Sequence, residues 1–271
     1  MRDKIGLAAL ALVLMVGTQV FAEGGEPGRL AKADELIAGR KYEEAVVVCT
    51  EALEVDGKDA GALSKRANSL FFLGKNAEAL ADIDRALAID AANSGYYCLR
   101  GNIFLEMNDL ASSKADYGKA IALDQGNVEA YFGCGVCRVY EKDMDGAIDL
   151  WKKCIEIDGS YLNAYRNLAM AYQQKRDDEA AIEYWSKCIS LAPKSAVFYF
   201  ERGRTYFNKN PALCIADLGK AIELEPTYAD AYWMRGFARK VFLRNEEAAK
   251  ADYDAAVRLD PRYSGRPYPN W

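Results

Sequence analysis

The sequence contains no histidine among its 271 residues, and this absence excludes several classes of catalytic site. Imidazole is the usual base beside a nucleophilic serine or cysteine, and it is the commonest ligand of catalytic zinc. The sequence also has no strand pattern, and therefore no glycine-rich phosphate loop between a strand and a helix. We expect a protein that is not an enzyme and that needs no cofactor and no metal.

Long hydrophobic runs are absent as well, apart from residues 5–16 near the beginning. Arg2 and Lys4 precede this run and Val20-Phe21-Ala22 follows it, which is the order of a secretory signal and its cleavage site. The run is shorter than the roughly 20 residues of a membrane-spanning helix. Residues 1–22 are therefore predicted to be a signal peptide cleaved near Ala22, and the protein is expected to be exported to the periplasm or secreted. Membrane contact is expected only through this segment, if it is not cleaved.

One six-residue pattern returns seven times: a small residue or cysteine, an aliphatic residue, any residue, an aliphatic residue, usually an acid, then proline or glycine. It begins at Ala52 in the first copy and at Ala256 in the last, and successive copies are 33–35 residues apart. A period of this length is typical of stacked copies of one supersecondary unit. Apolar residues return at helical spacing in two segments of each copy, which predicts two helices per copy. The predicted copies are residues 26–59, 60–93, 94–127, 128–161, 162–195, 196–228 and 229–261, followed by a tail of residues 262–271.

Large and small residues recur in register within these copies. The first helix has a large residue near its start and a small one four residues later, as in Tyr131 and Gly135. The second helix has a small residue and then a large one four residues later, as in Ala147 and Trp151. In this pattern the copies resemble tetratricopeptide repeats over residues 26–261. The resemblance implies an all-α fold, a right-handed α-solenoid of antiparallel helix pairs, in which partner peptides bind to the concave surface of the superhelix.

Four copies place an arginine before the small residue of the first helix, and the same four copies carry an aspartate on the second helix. These pairs are Arg66 and Asp82, Arg100 and Asp116, Arg202 and Asp217, and Arg235 and Asp252. The three remaining copies have neither member. Because the two residue types occur together or not at all, we expect four partly buried salt bridges, each within one copy. Their predicted role is structural, since a ligand-binding arginine would not need its own carboxylate.

Each first helix has a second, largely apolar stripe of residues that does not face the second helix of its own copy. By the resemblance, this stripe lines the concave surface and forms a partner-binding groove. Its residues are Phe71, Asn102, Leu105, Phe132, Val136, Tyr140, Arg166, Met170, Phe200, Arg204, Phe207, Trp233 and Phe237. Exposed apolar stripes mark interaction sites, and Arg166 and Arg204 are expected to hold an acidic group of the partner. The alternative is that these side chains pack against neighbouring first helices.

Seven cysteines would permit disulfides in an exported protein, but four of them occupy positions that hold core residues in other copies. We expect these to pack as small apolar residues. Cys134-Gly-Val-Cys137 has the C-x-x-C spacing of thiol oxidoreductases. It is predicted to lie in the middle of a helix, however, whereas such motifs act at a helix N-terminus.

The end of the array is expected to be unusual. Repeat arrays generally end in a polar capping unit, yet the tail contains too many prolines and glycines for a helix. Tyr263, Tyr268 and Trp271 are expected to fold back over the last helix near Tyr253 and Val257, in place of a cap. The alternative is a disordered tail.

These features predict a scaffold or adaptor that binds an apolar or amphipathic segment of another protein. The expected partner is a peptide or helix of a cell-envelope protein. The formal net charge of −5 gives no indication of nucleic-acid binding. A small-molecule or lipid carrier associated with a transporter is the first alternative, and a thiol oxidoreductase is the second.

Overall fold

The computed structural model describes residues 27–265, which form fourteen α-helices and a terminal 3-10 helix joined by short turns, without any strand. The helices are α1 (Pro27–Ala38), α2 (Tyr42–Val55), α3 (Ala60–Phe72), α4 (Asn76–Ile89), α5 (Ser94–Glu106), α6 (Leu110–Leu123), α7 (Val128–Tyr140), α8 (Met144–Ile157), α9 (Leu162–Gln174), α10 (Asp178–Leu191), α11 (Ala196–Tyr206), α12 (Pro211–Leu224), α13 (Ala229–Leu243) and α14 (Glu246–Leu259), and the 3-10 helix is Pro261–Gly265. Each copy contains an odd-numbered first helix and an even-numbered second helix. The predicted signal peptide, residues 1–22, lies outside the described residues, as do Tyr268 and Trp271.

Contacts divide the chain into two compact units, residues 1–158 and residues 159–271. Among the described residues, unit one contains α1–α8, and unit two contains α9–α14 and the 3-10 helix. Within each unit, every second helix packs against its own first helix, and every second helix except the last of the unit also packs against the first helix of the next copy. Each unit is therefore built as an α-solenoid of helix pairs. None of the helices within residues 27–265 is long and apolar enough to cross a membrane.

The turn between the two helices of a copy depends on one residue in the left-handed region of backbone conformation. Gly74 has a φ of 73° in copy two. In five other copies a non-glycine residue has a φ between 51° and 63°, and these residues are Arg40, Asn108, Lys142, Arg176 and Arg244. Such a residue ends a helix by turning the chain while the last carbonyls still accept hydrogen bonds. Copy six, whose turn is one residue shorter, has no positive φ at this point.

Large side chains of the second helices require glycine on the helices that face them. In unit one, Tyr117 of α6 lies between Gly101 of α5 and Gly133 of α7. A Cβ atom added to these glycines would lie only 2.8 Å and 2.3 Å from atoms of the tyrosine ring. Cβ added to Gly135 would lie 2.4 Å from Nε1 of Trp151. Since core atoms cannot approach so closely, only glycine permits this helix spacing.

The four Arg–Asp pairs each form a two-point contact between the helices of one copy. Arginine Nε donates to aspartate Oδ2 at 2.6–3.0 Å, and Nη2 donates to Oδ1 at 2.6–2.9 Å. The aspartate side chains are 5–10% exposed and the arginine side chains 16–24%. Hydrogen bonding to the aspartate raises the pKa of Arg66, Arg100 and Arg202. Both partners are needed, because a carboxylate left buried without its arginine would be strongly destabilising.

The same arginines also reach the preceding copy. Nη1 donates to a side chain that lies sixteen residues earlier, on the second helix of that copy. The acceptors are Thr50 for Arg66 (3.1 Å), Asp84 for Arg100 (2.7 Å) and Ser186 for Arg202 (2.9 Å). In the fourth case the position is Gly219, which has no side chain to accept a bond from Arg235. Three arginines therefore tie two copies together, in addition to joining the helices of their own copy.

Copy five lacks the Arg–Asp pair and replaces it with aromatic packing. Tyr184 stands at the aspartate position of α10 and stacks on Tyr172 of α9, with ring centroids 5.5 Å apart and an angle of 8° between the planes. Tyr165 lies 6.3 Å from the same ring. Leu168 stands at the arginine position and is fully buried. An apolar contact thus takes the place of the charged one.

Gly219 offers a test of the bond between copies. A Cβ atom at Gly219 would lie 3.6 Å from Nη1 of Arg235, which is an ordinary contact distance. Gly219→Ala should stabilise the protein by about 1 kcal/mol through helix propensity alone. Gly219→Ser should match or exceed this gain although serine is the poorer helix former, because its hydroxyl supplies the missing acceptor and contributes about 1 kcal/mol. Urea unfolding of both variants measures the difference.

Ser186→Ala is the matched control for this test, since it removes an acceptor that is present. It should lower the free energy of unfolding by about 1 kcal/mol. A Gly219→Ser variant that is less stable than Gly219→Ala would contradict a stabilising role for the Nη1 bond.

Candidate partner-binding surface

Five aromatic side chains form a continuous row on unit two. Phe207 stacks on Phe237, with centroids 5.1 Å apart and planes at 4°, and Phe237 stacks on Trp233 at 5.6 Å and 15°. Phe242 lies 5.0 Å from Phe207 at one end of the row, and Tyr263 lies 6.1 Å from Trp233 at the other. Aromatic rings attract each other at these separations. These five residues are called the aromatic row below.

The helical spacing of the sequence places these rings together. Phe200 and Arg204 of α11 and Phe207, the residue directly after it, follow one another at intervals of four and three residues, and Trp233 and Phe237 are four residues apart in α13. Residues at these intervals lie on one side of a helix. All members of the row except Tyr263 are half-buried, so part of each of these rings faces solvent. Phe200 is also half-buried and lies 4.9 Å from the ring of Tyr228.

Arg204 and Met170 are the most exposed members of the predicted groove. The side chain of Arg204 is 49% exposed and Met170 is 38% exposed. Nη2 of Arg204 lies 2.5 Å from Oε2 of Glu201. Burial raises the pKa of the Glu201 carboxyl, and the attraction of Arg204 acts in the opposite direction. Arg204 therefore already has a carboxylate of its own.

Arg166 of α9 differs from the other arginines of the first helices. Its Nε atom is buried and has no hydrogen-bond partner. Burial lowers the pKa of its guanidinium group. A buried N–H without a hydrogen bond costs free energy that an acceptor on a ligand would recover. Of the two cations predicted in the groove, Arg166 is thus the one that still lacks a carboxylate.

The structure corrects three positions of the predicted groove in unit one. Phe132 is 2% exposed, with its ring 6.3 Å from that of Trp151, and Val136 is 8% exposed. Asn102 is buried, and its Oδ1 accepts a 2.6 Å hydrogen bond from the hydroxyl of Tyr117. These side chains are not available to a partner, and in two of the three cases the cause is a large residue of a second helix: Trp151 packs against Phe132, and Tyr117 bonds to Asn102.

The remaining groove residues of unit one, Phe71, Leu105 and Tyr140, are half-buried. Phe71 packs against the core cluster that contains Leu63, and Leu105 packs against the cluster around Tyr117. Burial raises the pKa of Tyr140. In unit one the stripe therefore serves mainly to pack one helix against another, which was the alternative interpretation of this stripe.

All seven cysteines are free, and six of them are buried. Burial raises the pKa of Cys49, Cys154, Cys188 and Cys214 to about 12 and that of the partly exposed Cys134 to about 11. Cys134 and Cys137 lie within α7 and not at its N-terminus. Within residues 27–265, no cluster of three cysteine or acidic side chains is arranged to hold a metal ion. A raised pKa is the opposite of what a redox-active thiol requires.

Alkylation of the native protein tests this conclusion. A pKa near 11 instead of 9.0 leaves the thiolate fraction of Cys134 at pH 8 roughly 100-fold below that of an ordinary cysteine. Iodoacetamide should therefore label Cys134 slowly, with a rate that rises with pH toward 11, and should leave the six buried cysteines unlabelled until urea is added. Mass spectrometry of the labelled peptides gives the rates. Fast labelling of Cys134 or Cys137 at pH 7 would contradict a packing role.

Models of the tetratricopeptide repeat match the chain in four places, residues 30–94, 94–127, 162–195 and 229–263. These matches cover more than half of the sequence. No curated protein is a significant match.

Several solved structures have a similar fold. The C-terminal part of a TPR repeat-containing protein from Cytophaga hutchinsonii is 21% identical, covers 86% of this chain and 95% of its own, and has a TM-score of 0.65. The pilF protein of Pseudomonas aeruginosa is 16% identical, covers 75% and 93%, and has a TM-score of 0.64. YrrB, described as a TPR protein with an unusual peptide-binding site, is 21% identical, covers 66% and 92%, and has a TM-score of 0.58. At these identities the likeness concerns the fold alone.

Proposed function

Because the chain belongs to the tetratricopeptide repeat family, we propose that it is a non-enzymatic adaptor that binds an apolar or amphipathic segment of a partner protein. The proposed binding surface is the aromatic row of unit two, together with Arg166, Met170 and Arg204 on the first helices of copies five and six. The observation that carries the proposal is the row itself, in which four half-buried rings are in continuous contact.

The aromatic row has the composition of an energetically important binding site. Aromatic and arginine side chains contribute most of the binding free energy in protein interfaces, and leucine and valine contribute less. The stacked rings are held by one another, so little side-chain freedom is lost when a partner binds. A partly exposed cluster of this kind is unusual on a surface that no other protein covers.

Two arginines of the proposed surface indicate the chemistry of the partner. Arg166 has a buried Nε without a hydrogen-bond partner, and Arg204 is half-exposed. A carboxylate can accept two parallel hydrogen bonds from a guanidinium group, which gives direction to the contact as well as energy. We therefore propose a partner segment that combines apolar residues with at least one aspartate or glutamate.

The peptide-binding site described for YrrB supports a peptide as the ligand of a fold of this kind. The proposed compartment is the cell envelope or the exterior, which residues 1–22 suggest through their resemblance to a signal peptide. The partner would then be another exported or envelope protein.

Photocrosslinking in the producing cell tests the surface directly. A photoreactive phenylalanine analogue at Met170 should form covalent adducts with a partner, whereas the same analogue at Leu213 of α12, which is 44% exposed, should not. The adduct peptide should be an apolar segment with an acidic residue. Trp233→Ser and Phe207→Ser, each combined with the Met170 probe, should reduce the adduct yield at least 10-fold.

Phe132→Ser is the matched control, because Phe132 is buried. It should lower the free energy of unfolding by roughly 3–5 kcal/mol, as truncation of core aromatics does. Trp233→Ser and Phe207→Ser should lower the free energy of unfolding by less, because these two side chains are only half-buried. Thermal melts measure all three variants. Equal adduct yields at Met170 and Leu213, or an unchanged yield in folded Trp233→Ser protein, would refute the proposed surface.

A further inference from the structure

One arginine of the four Arg–Asp pairs has a donor that no side chain of the copy before it accepts. Nη1 of Arg66, Arg100 and Arg202 donates to a side chain of the preceding second helix. For Arg235 the equivalent position is Gly219 of α12, and its Nε and Nη2 bind the aspartate of its own copy. The side chain of Arg235 is only 16% exposed. Copy seven therefore holds a largely buried guanidinium group whose Nη1 is not bonded to any side chain in the described part of the chain.

The space over Gly219 is open to an acceptor atom. A Cβ atom added to this glycine would lie 3.6 Å from Nη1 of Arg235. Apart from the adjoining turns of α12, no other heavy atom of the described chain would lie within 4 Å of it. An oxygen at the usual hydrogen-bond distance of about 2.9 Å from Nη1 therefore fits over the glycine, where other copies have a side chain.

Copy three shows which chemical group fits this position. Asp84 stands at the equivalent residue, and its Oδ1 accepts a 2.7 Å hydrogen bond from Nη1 of Arg100. Nε and Nη2 of the same arginine bind the carboxylate of Asp116. Because a guanidinium group offers donors along more than one edge, Arg100 binds two carboxylates at once. Arg235 makes the same contacts with only one.

The charge of copy seven also differs from that of copy three. Arg239 of α13 donates from Nη1 to Oδ2 of Asp252 at 2.8 Å, so this aspartate is shared between Arg235 and Arg239. The corresponding residues in the other three copies that have the pair are uncharged, namely Leu70, Phe104 and Tyr206. Two arginines and one aspartate leave a net charge of +1 in this group. A second carboxylate would neutralise it.

We propose that an external carboxylate binds to Nη1 of Arg235 over Gly219, in the place that an aspartate side chain occupies in copy three. Its source is either a free carboxylic acid or an acidic side chain of another protein. Arg235 is two residues from both Trp233 and Phe237, which is about 200° around α13. The site therefore lies on another face of this helix than the aromatic row and does not depend on the function proposed above.

NMR of the full chain with labelled arginine tests this proposal, with acetate as the probe. Sodium acetate replaces sodium chloride at constant ionic strength, so that screening does not change. The Nε–H signal of Arg235 should shift and saturate. The signal of Arg202 should not move, because its Nη1 is already bonded to Ser186. The absence of a saturable shift, or an equal shift with phosphate, would overturn the proposal.

Substitutions at the glycine locate the site. Gly219→Asp should abolish the acetate shift, because it supplies the carboxylate from within the chain. Gly219→Ser should weaken acetate binding about fivefold, the effect of one hydrogen bond. Gly118→Asp is the matched control and should leave binding unchanged, since Gly118 has the same position in copy three but the next copy has Cys134 in place of the arginine. Wild-type affinity in Gly219→Asp protein would contradict the proposed position.

A blocked aspartate, N-acetyl-aspartate methylamide, distinguishes the two sources of the carboxylate. If it shifts the Arg235 signal as acetate does, the site accepts an acidic side chain of a protein. If only acetate acts, the ligand is a free carboxylic acid. Arg239→Gln removes one positive charge and should weaken binding of acetate roughly threefold. An affinity that does not change in Arg239→Gln protein would refute the role of the net charge in the proposed site.

Discussion

An arginine that binds two second helices at once is the interaction on which the rest of the structure depends. Its Nε and Nη2 hold the aspartate of its own copy, and in three copies its Nη1 holds a hydroxyl or carboxylate of the copy before. A helix pair of this size cannot bury its apolar faces alone, so each copy needs its neighbour. Because the planar guanidinium offers its donors at fixed angles, one side chain sets the separation of three helices, whereas apolar contacts alone would allow them to slide.

The arginine is missing where other packing takes its place. Copy four has Cys134 at this position and depends on the close fit of Trp151 against Gly135, and copy five has Leu168 and the stacked Tyr184. The division of the chain into two units falls between these two copies, at Asp158 and Gly159. Two of the four Arg–Asp pairs therefore lie within unit one and two within unit two. The network joins one side of the first helices to the second helices, which leaves the second stripe of the first helices free to vary from copy to copy.

The sequence predicts the fold well because the fold is a repetition. Each position of the repeat can be compared across seven copies, so a residue pattern that occurs by chance in one copy does not mislead. The Arg–Asp pairs can be recognised because the two residue types occur in the same four copies. The acceptors Thr50, Asp84 and Ser186 were missed although their signal was present, since they stand sixteen residues before three of the four arginines. The exposure of Phe132, Val136 and Asn102 was misjudged for a different reason. Whether a first-helix residue faces solvent depends on the size of the neighbouring second-helix residue, such as Tyr117 or Trp151, and on hydrogen bonds that periodicity does not reveal.

The stacking within the aromatic row also limits what a partner can contact. Phe207 and Trp233 both stack on Phe237, so the edge of the Phe237 ring is the part of it that is left for a ligand. The edge of an aromatic ring carries partial positive charge and the face carries negative charge. An exposed ring edge therefore favours electron-rich groups, namely carboxylates and backbone carbonyls. The same stacking that stabilises unit two thus favours an acidic segment as the partner of the proposed surface.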